Sequence, residues 1–260
     1  MLTINKFMSN YDYKIFDDAI PVELQQQVWD YMQHQVWYAY PRGHQLLRFI
    51  PNRHGLDFPE KMENVENGSF MSRTAFALDA PSLEKNHPLI HTLWKNINKL
   101  HNDIYDLTGP GEGIRTRPVT NDQSSIPGLD PGWRVYTNGQ GSEKIKRSHG
   151  IHRDNINMND DSTRTIVYVA NMQWLPSWMA ELIFYGEDPD GTTHDHQQHQ
   201  EAVGGHTQRR NFKIGWPTDI IAAKPGRIIS YDGRMLHTTK PTSIFAPHMR
   251  ITIAFRARLK

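Results

Sequence analysis

The sequence predicts a mainly β fold carried on N-terminal helices, and three observations lead there. Helical hydrophobic periodicity is confined to roughly the first 112 residues. Beyond about residue 113 the apolar pattern shifts to short runs of β-branched and aromatic residues. Clusters of Gly, Pro, Asn and Asp bound those runs, as turns between strands require. Helices first and strands second describe a jelly-roll core, a double-stranded β-helix, buttressed by N-terminal helices.

The first helix is predicted over Val22-Glu-Leu-Gln-Gln-Gln-Val-Trp-Asp-Tyr-Met-Gln, entered through Pro21. Val22, Leu24, Val28, Tyr31 and Met32 recur there at helical spacing. The second is predicted over Pro88–Leu107, with Leu89, Ile90, Leu93, Trp94, Ile97 and Leu100 on one face. Thr108-Gly-Pro-Gly supplies its stop signal. Strands are expected at Gly132–Tyr136, Arg164–Ala170, Glu181–Tyr185, Arg227–Tyr231 and Arg250–Arg256. No repeat or linker divides the 260 residues, so one domain is expected. Residues 1–112 would form its helix-rich support and 113–260 its jelly-roll core, with a polar loop at 186–213.

Composition narrows the chemistry. The chain has no cysteine, which excludes disulfides, zinc-thiolate sites and iron–sulfur clusters. No apolar run reaches the ~18–20 residues of a membrane span, and Met1-Leu-Thr-Ile-Asn-Lys is not a secretory leader, so a cytoplasmic location is expected. With 29 basic against 28 acidic residues, no global field selects nucleic acid or an anionic membrane. The 14 histidines are the compositional oddity. A bound metal would be held by His, Asp and Glu.

The informative segment is Ser148-His-Gly-Ile-His-Arg-Asp-Asn. His152 and Asp154 are two apart, so on an extended segment they point to the same face. One imidazole and one carboxylate supply two ligands of a 2-His-1-carboxylate facial triad. Such a triad leaves three positions open for cosubstrate and O2, and suits non-haem Fe(II). A second His-x-Asp, His101-Asn-Asp103, falls in the predicted helix, where residues two apart diverge by roughly 200°. That copy reads as accidental.

Around the first copy the motifs follow in a fixed order. Arg134-Val-Tyr-Thr-Asn-Gly-Gln precedes it, and Arg164-Thr-Ile-Val-Tyr-Val-Ala and Ala180-Glu-Leu-Ile-Phe-Tyr follow. Lys224-Pro-Gly-Arg-Ile-Ile-Ser-Tyr-Asp-Gly-Arg-Met-Leu-His237 then precedes Arg250-Ile-Thr-Ile-Ala-Phe-Arg256. This order resembles the Fe(II)/2-oxoglutarate-dependent dioxygenase superfamily, in particular its prolyl-4-hydroxylase-like branch, over about Trp133 to Leu259. By position, the resemblance implies His152, Asp154 and His237 as iron ligands and Arg250 as the partner of the distal carboxylate of 2-oxoglutarate. It places Tyr136 where a family tyrosine hydrogen-bonds 2-oxoglutarate, with Tyr168 the weaker candidate. The Gly-Gly-Glu of the family is here Met179-Ala-Glu, a change of turn chemistry. Retention of Asp154 argues against a halogenase, which replaces that carboxylate with a small residue.

The residues themselves support the arginine. A guanidinium grips a carboxylate bidentately. On the last strand Arg250, Thr252, Ala254 and Arg256 share one face, while Ile251, Ile253, Phe255 and Leu259 share the other. Arg256 is open between a structural ion pair and a role toward cosubstrate or substrate. His149 reads as a neighbour of the ligands, and His194, His196, His199 and His206 as incidental histidines of a solvated loop bordering the site mouth. Lys144, Lys146, Arg147 and Arg153 form a basic cluster that would either attract an anionic substrate or be a solvated face.

The resemblance implies an enzyme that uses Fe(II), 2-oxoglutarate and O2 to hydroxylate a small molecule or an amino-acid or peptidyl substrate, releasing succinate and CO2. Two rivals stand beside it. Arg250 and Arg256 resemble the paired arginines of AlkB-type nucleic-acid demethylases, a reading the near-neutral charge disfavours. The other is a non-catalytic jelly-roll binding module, which would not need His152, Asp154, His237 and Arg250 together.

Overall fold

The computed structural model describes residues 3–8, 11–34, 37–39, 47–49, 71–73, 75–77, 80–107, 135–140, 151–155, 159–194, 212–247 and 249–260. Along the chain these form strands β1 (Thr3–Met8) and β2 (Tyr11–Phe16), helix α1 (Val22–Gln33), and short strands β3 (Trp37–Ala39), β4 (Leu47–Phe49), β5 (Met71–Arg73) and β6 (Ala75–Ala77). Helices α2 (Ala80–Asn86) and α3 (Pro88–Lys99) follow, then β7 (Tyr105–Asp106) and β8 (Val135–Gln140). The rest is β: β9 (Thr163–Val169), β10 (Leu182–His194), β11 (Phe212–Ile221), β12 (Ile228–Asp232), β13 (Leu236–Thr239) and β14 (Arg250–Leu259).

Two antiparallel sheets carry the site. The larger contains the run β2-β12-β9-β14-β8, and the smaller is β11-β10-β13. A bridge between His152 and His237 extends the smaller sheet beyond β13. From β8 onward the chain therefore visits the larger sheet, the smaller at His152, the larger at β9, and the smaller at β10 and β11. It then returns to the larger at β12, the smaller at β13 and the larger at β14. This alternation between two facing sheets is the winding of a jelly roll.

Period-two patterning explains which side of the larger sheet meets what. On β14, Ile251, Ile253, Phe255 and Ala257 join the core packed beneath the helices. Ile166 and Tyr168 of β9 and Ile228 of β12 lie in the same core. The helices present Leu24, Val28 and Met32 from α1 and Ile90, Leu93, Trp94 and Ile97 from α3, spaced to fall on one side. Burying each such side chain contributes about 1.5–3 kcal/mol. Val22, expected on the buried stripe of α1, is instead exposed in its first turn.

Other departures from the sequence expectation have local causes. Helix α3 stops at Lys99 rather than running to Leu107. Asn102 and Asp103 adopt left-handed φ of 57° and 56°, a conformation their short polar side chains tolerate. Asn98 then donates from Nδ2 to the Tyr105 carbonyl (2.9 Å) and accepts from the Tyr105 amide (3.2 Å), steering the chain into β7 against β14. The N-terminal stretch expected to be helical support also supplies strands. Of the β1–β2 hairpin, β2 pairs with β12, so the hairpin adds to the larger sheet of the jelly roll with β1 at its edge. The expected polar loop at 186–213 is shorter, because β10 continues through register shifts to His194 and β11 begins at Phe212. His196, His199 and His206 lie outside the described residues, as do His149, Lys144, Lys146 and Arg147.

Candidate active site

A cavity of about 90 Å³ opens between the two sheets, well above the roughly 10–15 Å³ that one water needs. Its walls follow strand alternation: Arg250, Thr252, Ala254 and Arg256 from β14, Thr165, Val167 and Val169 from β9, Ile229 and Tyr231 from β12, and Tyr136 and Asn138 from β8. Leu182, Ile221 and Ala223 close the opposite side.

Three donors converge at one end. The bridge between His152 and His237 is a reciprocal pair of backbone hydrogen bonds, His152 N to His237 O at 3.0 Å and His237 N to His152 O at 2.9 Å. It brings two histidines, 85 positions apart (237 − 152), to a ring separation of 4.4 Å. Asp154, two residues on, falls to the same side, and one donor atom from each of the three residues lies within 4.8 Å of the others. The segment is pinned just beyond, where Asn155 N donates to Gly233 O at 2.7 Å. A Cβ on Gly233 would stand 3.0 Å from Thr163 Oγ1 and 3.1 Å from Asn155 Cβ, so the close approach favours glycine.

The donors are prepared for a cation. His237 Nδ1 meets the Met235 carbonyl at 2.9 Å, and a carbonyl only accepts. Nδ1 therefore carries the proton, and Nε2 presents its lone pair toward Asp154, 3.6 Å away. Burial drives the His237 pKa down to about 4 against the opposing pull of Asp154. Burial also resists ionisation of Asp154, but Arg256 foremost, with both histidines, overcomes it and holds the carboxyl well below its ordinary range. Two imidazoles and an ionised carboxylate, without thiolate, suit a first-row divalent metal with open coordination positions.

Asp154 is also a hub. Its Oδ1 accepts from Arg256 Nη2, and its Oδ2 accepts from Thr165 Oγ1 (2.7 Å) and Tyr231 OH (3.0 Å). Arg256 donates further to Tyr136 OH, from Nε at 3.0 Å and Nη2 at 2.8 Å, and to Thr165 Oγ1 at 3.1 Å. Of the two readings left open for Arg256, the structure displays the ion pair, made to a candidate metal ligand.

Arg250 differs. It is 7% exposed, and its Nη1 donates to the Ala180 carbonyl at 2.9 Å. Its Nε has no hydrogen-bond partner, and among the described residues no carboxylate forms an ion pair with it. Burial lowers its pKa to about 10, against weaker support from Tyr231 and Glu181. A buried guanidinium facing a cavity without an ion-paired partner is costly, and an anion in that cavity would relieve it.

The chain is similar in fold to several solved structures. One is a prolyl hydroxylase from Trichoplax adhaerens, in complex with a peptide fragment of the hypoxia inducible factor oxygen degradation domain. It is 13% identical with a TM-score of 0.47, over 95% of this chain and 83% of the other. Another is a prolyl-4-hydroxylase from Pseudomonas putida, 10% identical with a TM-score of 0.42, over 95% and 92% of the two chains. No protein-family model and no curated protein matches the chain.

Of the residues singled out from sequence, His152, Asp154, His237, Arg250, Arg256 and Tyr136 all line this cavity. Tyr168 does not. It sits one position off, fully buried in the core beneath the helices. His101 and Asp103 stand in the turn after α3, with His101 between Phe16 and Tyr105. Arg153 pairs with Glu187 and donates to the Arg234 carbonyl, which ties the segment between His152 and Asp154 to β10. Sequence reasoning missed Thr165 and Tyr231. Alternation on β12 pairs Ile229 with Tyr231 on one face, but only the register Tyr231↔Thr165 and Thr165↔Arg256 shows that face to be the site.

Proposed function

We propose that this protein is a non-haem Fe(II) oxygenase that uses 2-oxoglutarate and O2 to hydroxylate a small molecule or an amino-acid or peptidyl substrate. The observation that carries the reading is one cavity lined by His152, Asp154 and His237 and by a buried Arg250 that forms no ion pair with a carboxylate among the described residues. The donor set fits iron, and the orphaned guanidinium fits the distal carboxylate of a small dicarboxylate. When bound, iron would supply the O2 activation and hydrogen abstraction that no side chain provides, with 2-oxoglutarate leaving as succinate and CO2.

The chain's own residues do the rest. His152, Asp154 and His237 would hold the metal on one side, leaving the other open to ligands. Arg250 would fix the cosubstrate by a bidentate ion pair, which orients its reacting end away from β14's N-terminal end. Val167, Val169, Leu182, Ile221 and Ile229 line the same cavity and would strengthen that ion pair by excluding water. Arg256 keeps Asp154 ionised at the metal rather than serving as a second carboxylate clamp. Among the described residues no helix is long and apolar enough to cross a membrane.

The test is succinate formation by the purified protein with Fe(II), ascorbate, 2-oxoglutarate and a panel of candidate substrates, with mass spectrometry for products that gain one oxygen. Succinate that rises with a substrate and disappears under chelation supports the reading. A protein that binds Fe(II) and 2-oxoglutarate yet forms no succinate with any substrate is a binding module instead.

A further inference from the structure

Tyr231, Thr165 and Arg256 form one cross-strand row over β12, β9 and β14, set by the registers Tyr231↔Thr165 and Arg256↔Thr165. All three touch the carboxylate of Asp154, which comes from outside these strands. A carboxylate on a short side chain can rotate about its terminal bond, and a metal needs one orientation of it. Here three donors grip two oxygens, so rotation would break hydrogen bonds in a buried setting.

We infer that Thr165 and Tyr231 are positioning residues that hold Asp154 in its metal-binding orientation, so that the site's affinity for a divalent cation depends on both hydroxyls. The inference rests on His152, Asp154 and His237 being a metal site. Thr165 is the relay of the row. Its hydroxyl accepts from Arg256 Nη1 (3.1 Å) and spends its single proton on Asp154 Oδ2 (2.7 Å). Tyr231 has one proton and two acceptors in reach, Asp154 Oδ2 at 3.0 Å and His237 Nε2 at 3.2 Å. With Nδ1 committed to Met235, Nε2 is the lone pair that a cation would take. The Tyr231 proton then falls to Asp154 alone, so occupying the site strengthens the grip on the carboxylate. Both hydroxyls would act on the cation through Asp154, whose Oδ2 accepts from each.

The experiment uses the full chain stripped of metal and titrated with Co(II), read by its visible absorption, with Zn(II) competition against a chromophoric chelator as a second measure. Thr165→Val and Tyr231→Phe should each raise the dissociation constant by ~10–100-fold, the usual effect of losing a group that orients a metal ligand. Thr165→Ser, which keeps the hydroxyl, should bind nearly as the wild type does. Thermal unfolding of the metal-free variants separates positioning from packing, since a packing role lowers Tm without changing affinity. Tyr231→Phe preserves the ring against Phe184 (5.2 Å between centroids) and carries the test alone if Thr165→Val does not fold. Unchanged affinity in folded variants overturns the inference while leaving the metal site standing. A folded wild type that takes up no Co(II) removes the metal-site reading, and this inference with it.

Discussion

Arg250 and Arg256 line one cavity from positions six residues apart on β14, yet among the described residues only Arg256 forms an ion pair with a carboxylate. Arg256 is neutralised by Asp154 within the protein, whereas Arg250 has a carbonyl at Nη1 and, among the described residues, no hydrogen-bond partner at Nε. Two arginines of the same strand face are thus separated by the company they keep, and their substitutions should fail differently.

Arg250→Ala should weaken 2-oxoglutarate binding by about 2–5 kcal/mol, the cost of removing one partner from a buried charge pair. Arg250→Lys should retain part of that affinity, because the charge survives without the bidentate fork. Arg256→Ala should instead weaken metal binding, through Asp154. Calorimetric titration of 2-oxoglutarate and of Mn(II) into each variant checks both. Normal cosubstrate binding in Arg250→Ala together with its loss in Arg256→Ala would reverse the roles and favour the AlkB-like reading.

Substitution of the three donors should separate stability from metal binding. His152→Ala, Asp154→Ala and His237→Ala should each abolish stable Fe(II) binding and turnover. Their metal-free stabilities should differ, however. The His152 side chain is 34% exposed and loses little on truncation. Asp154→Ala leaves Arg256 inside the protein without its counter-charge, which should cost about 3 kcal/mol. Urea unfolding of the metal-free proteins measures the difference, and equal stability of the two variants would contradict the ion pair.

How much of this was legible in the chain divides by range. The faces of β14 followed from alternation alone, because a strand places every second residue together whatever its neighbours are. The short range also revealed His152 and Asp154 as a pair. The row of Tyr231, Thr165 and Arg256 was not legible, since it depends on registers between strands tens of residues apart, and a slip of one residue reverses a face. Tyr168 shows the same limit, as its neighbours Val167 and Val169 face the cavity and it does not. The end of α3 was misplaced because Leu100, Ile104 and Leu107 continue a helical pattern that the left-handed Asn102 and Asp103 interrupt.

The turn before β10 carries a cost that substitution should relieve. Met179 and Ala180 adopt φ of 61° and 70°, where a Cβ costs roughly 1–2 kcal/mol. The turn aims the Ala180 carbonyl at Arg250. Ala180→Gly keeps that carbonyl and removes the Cβ, at the expense of a more flexible unfolded chain. The net expectation is about 0.5–1 kcal/mol of added stability, read as a higher urea midpoint at unchanged m-value. A lower midpoint would show that the turn is not strained.

Acid should destabilise the fold through His101. The ring is 3% exposed, held edge-on by Phe16 and Tyr105 at 5.0 and 5.1 Å, and its Nε2 has no hydrogen-bond partner among the described residues. Burial, helped by the positive charges of Lys14 and Arg164, lowers its pKa to about 4. The folded protein therefore releases a proton that the unfolded chain, with an ordinary histidine pKa near ~6.5, would bind. Stability is fully present above about pH 6.5 and is lost as pH falls from there toward about 4, by on the order of 2–3 kcal/mol from this residue. His237, buried with a pKa also near 4, adds a second contribution of the same sign in the metal-free protein. His101→Phe keeps an aromatic ring between Phe16 and Tyr105 but cannot titrate. Urea unfolding between pH 4 and 7, followed by tryptophan fluorescence, should give a visibly shallower decline for His101→Phe than for wild type. Parallel curves would mean that His101 protonates as readily in the folded protein as in the unfolded chain.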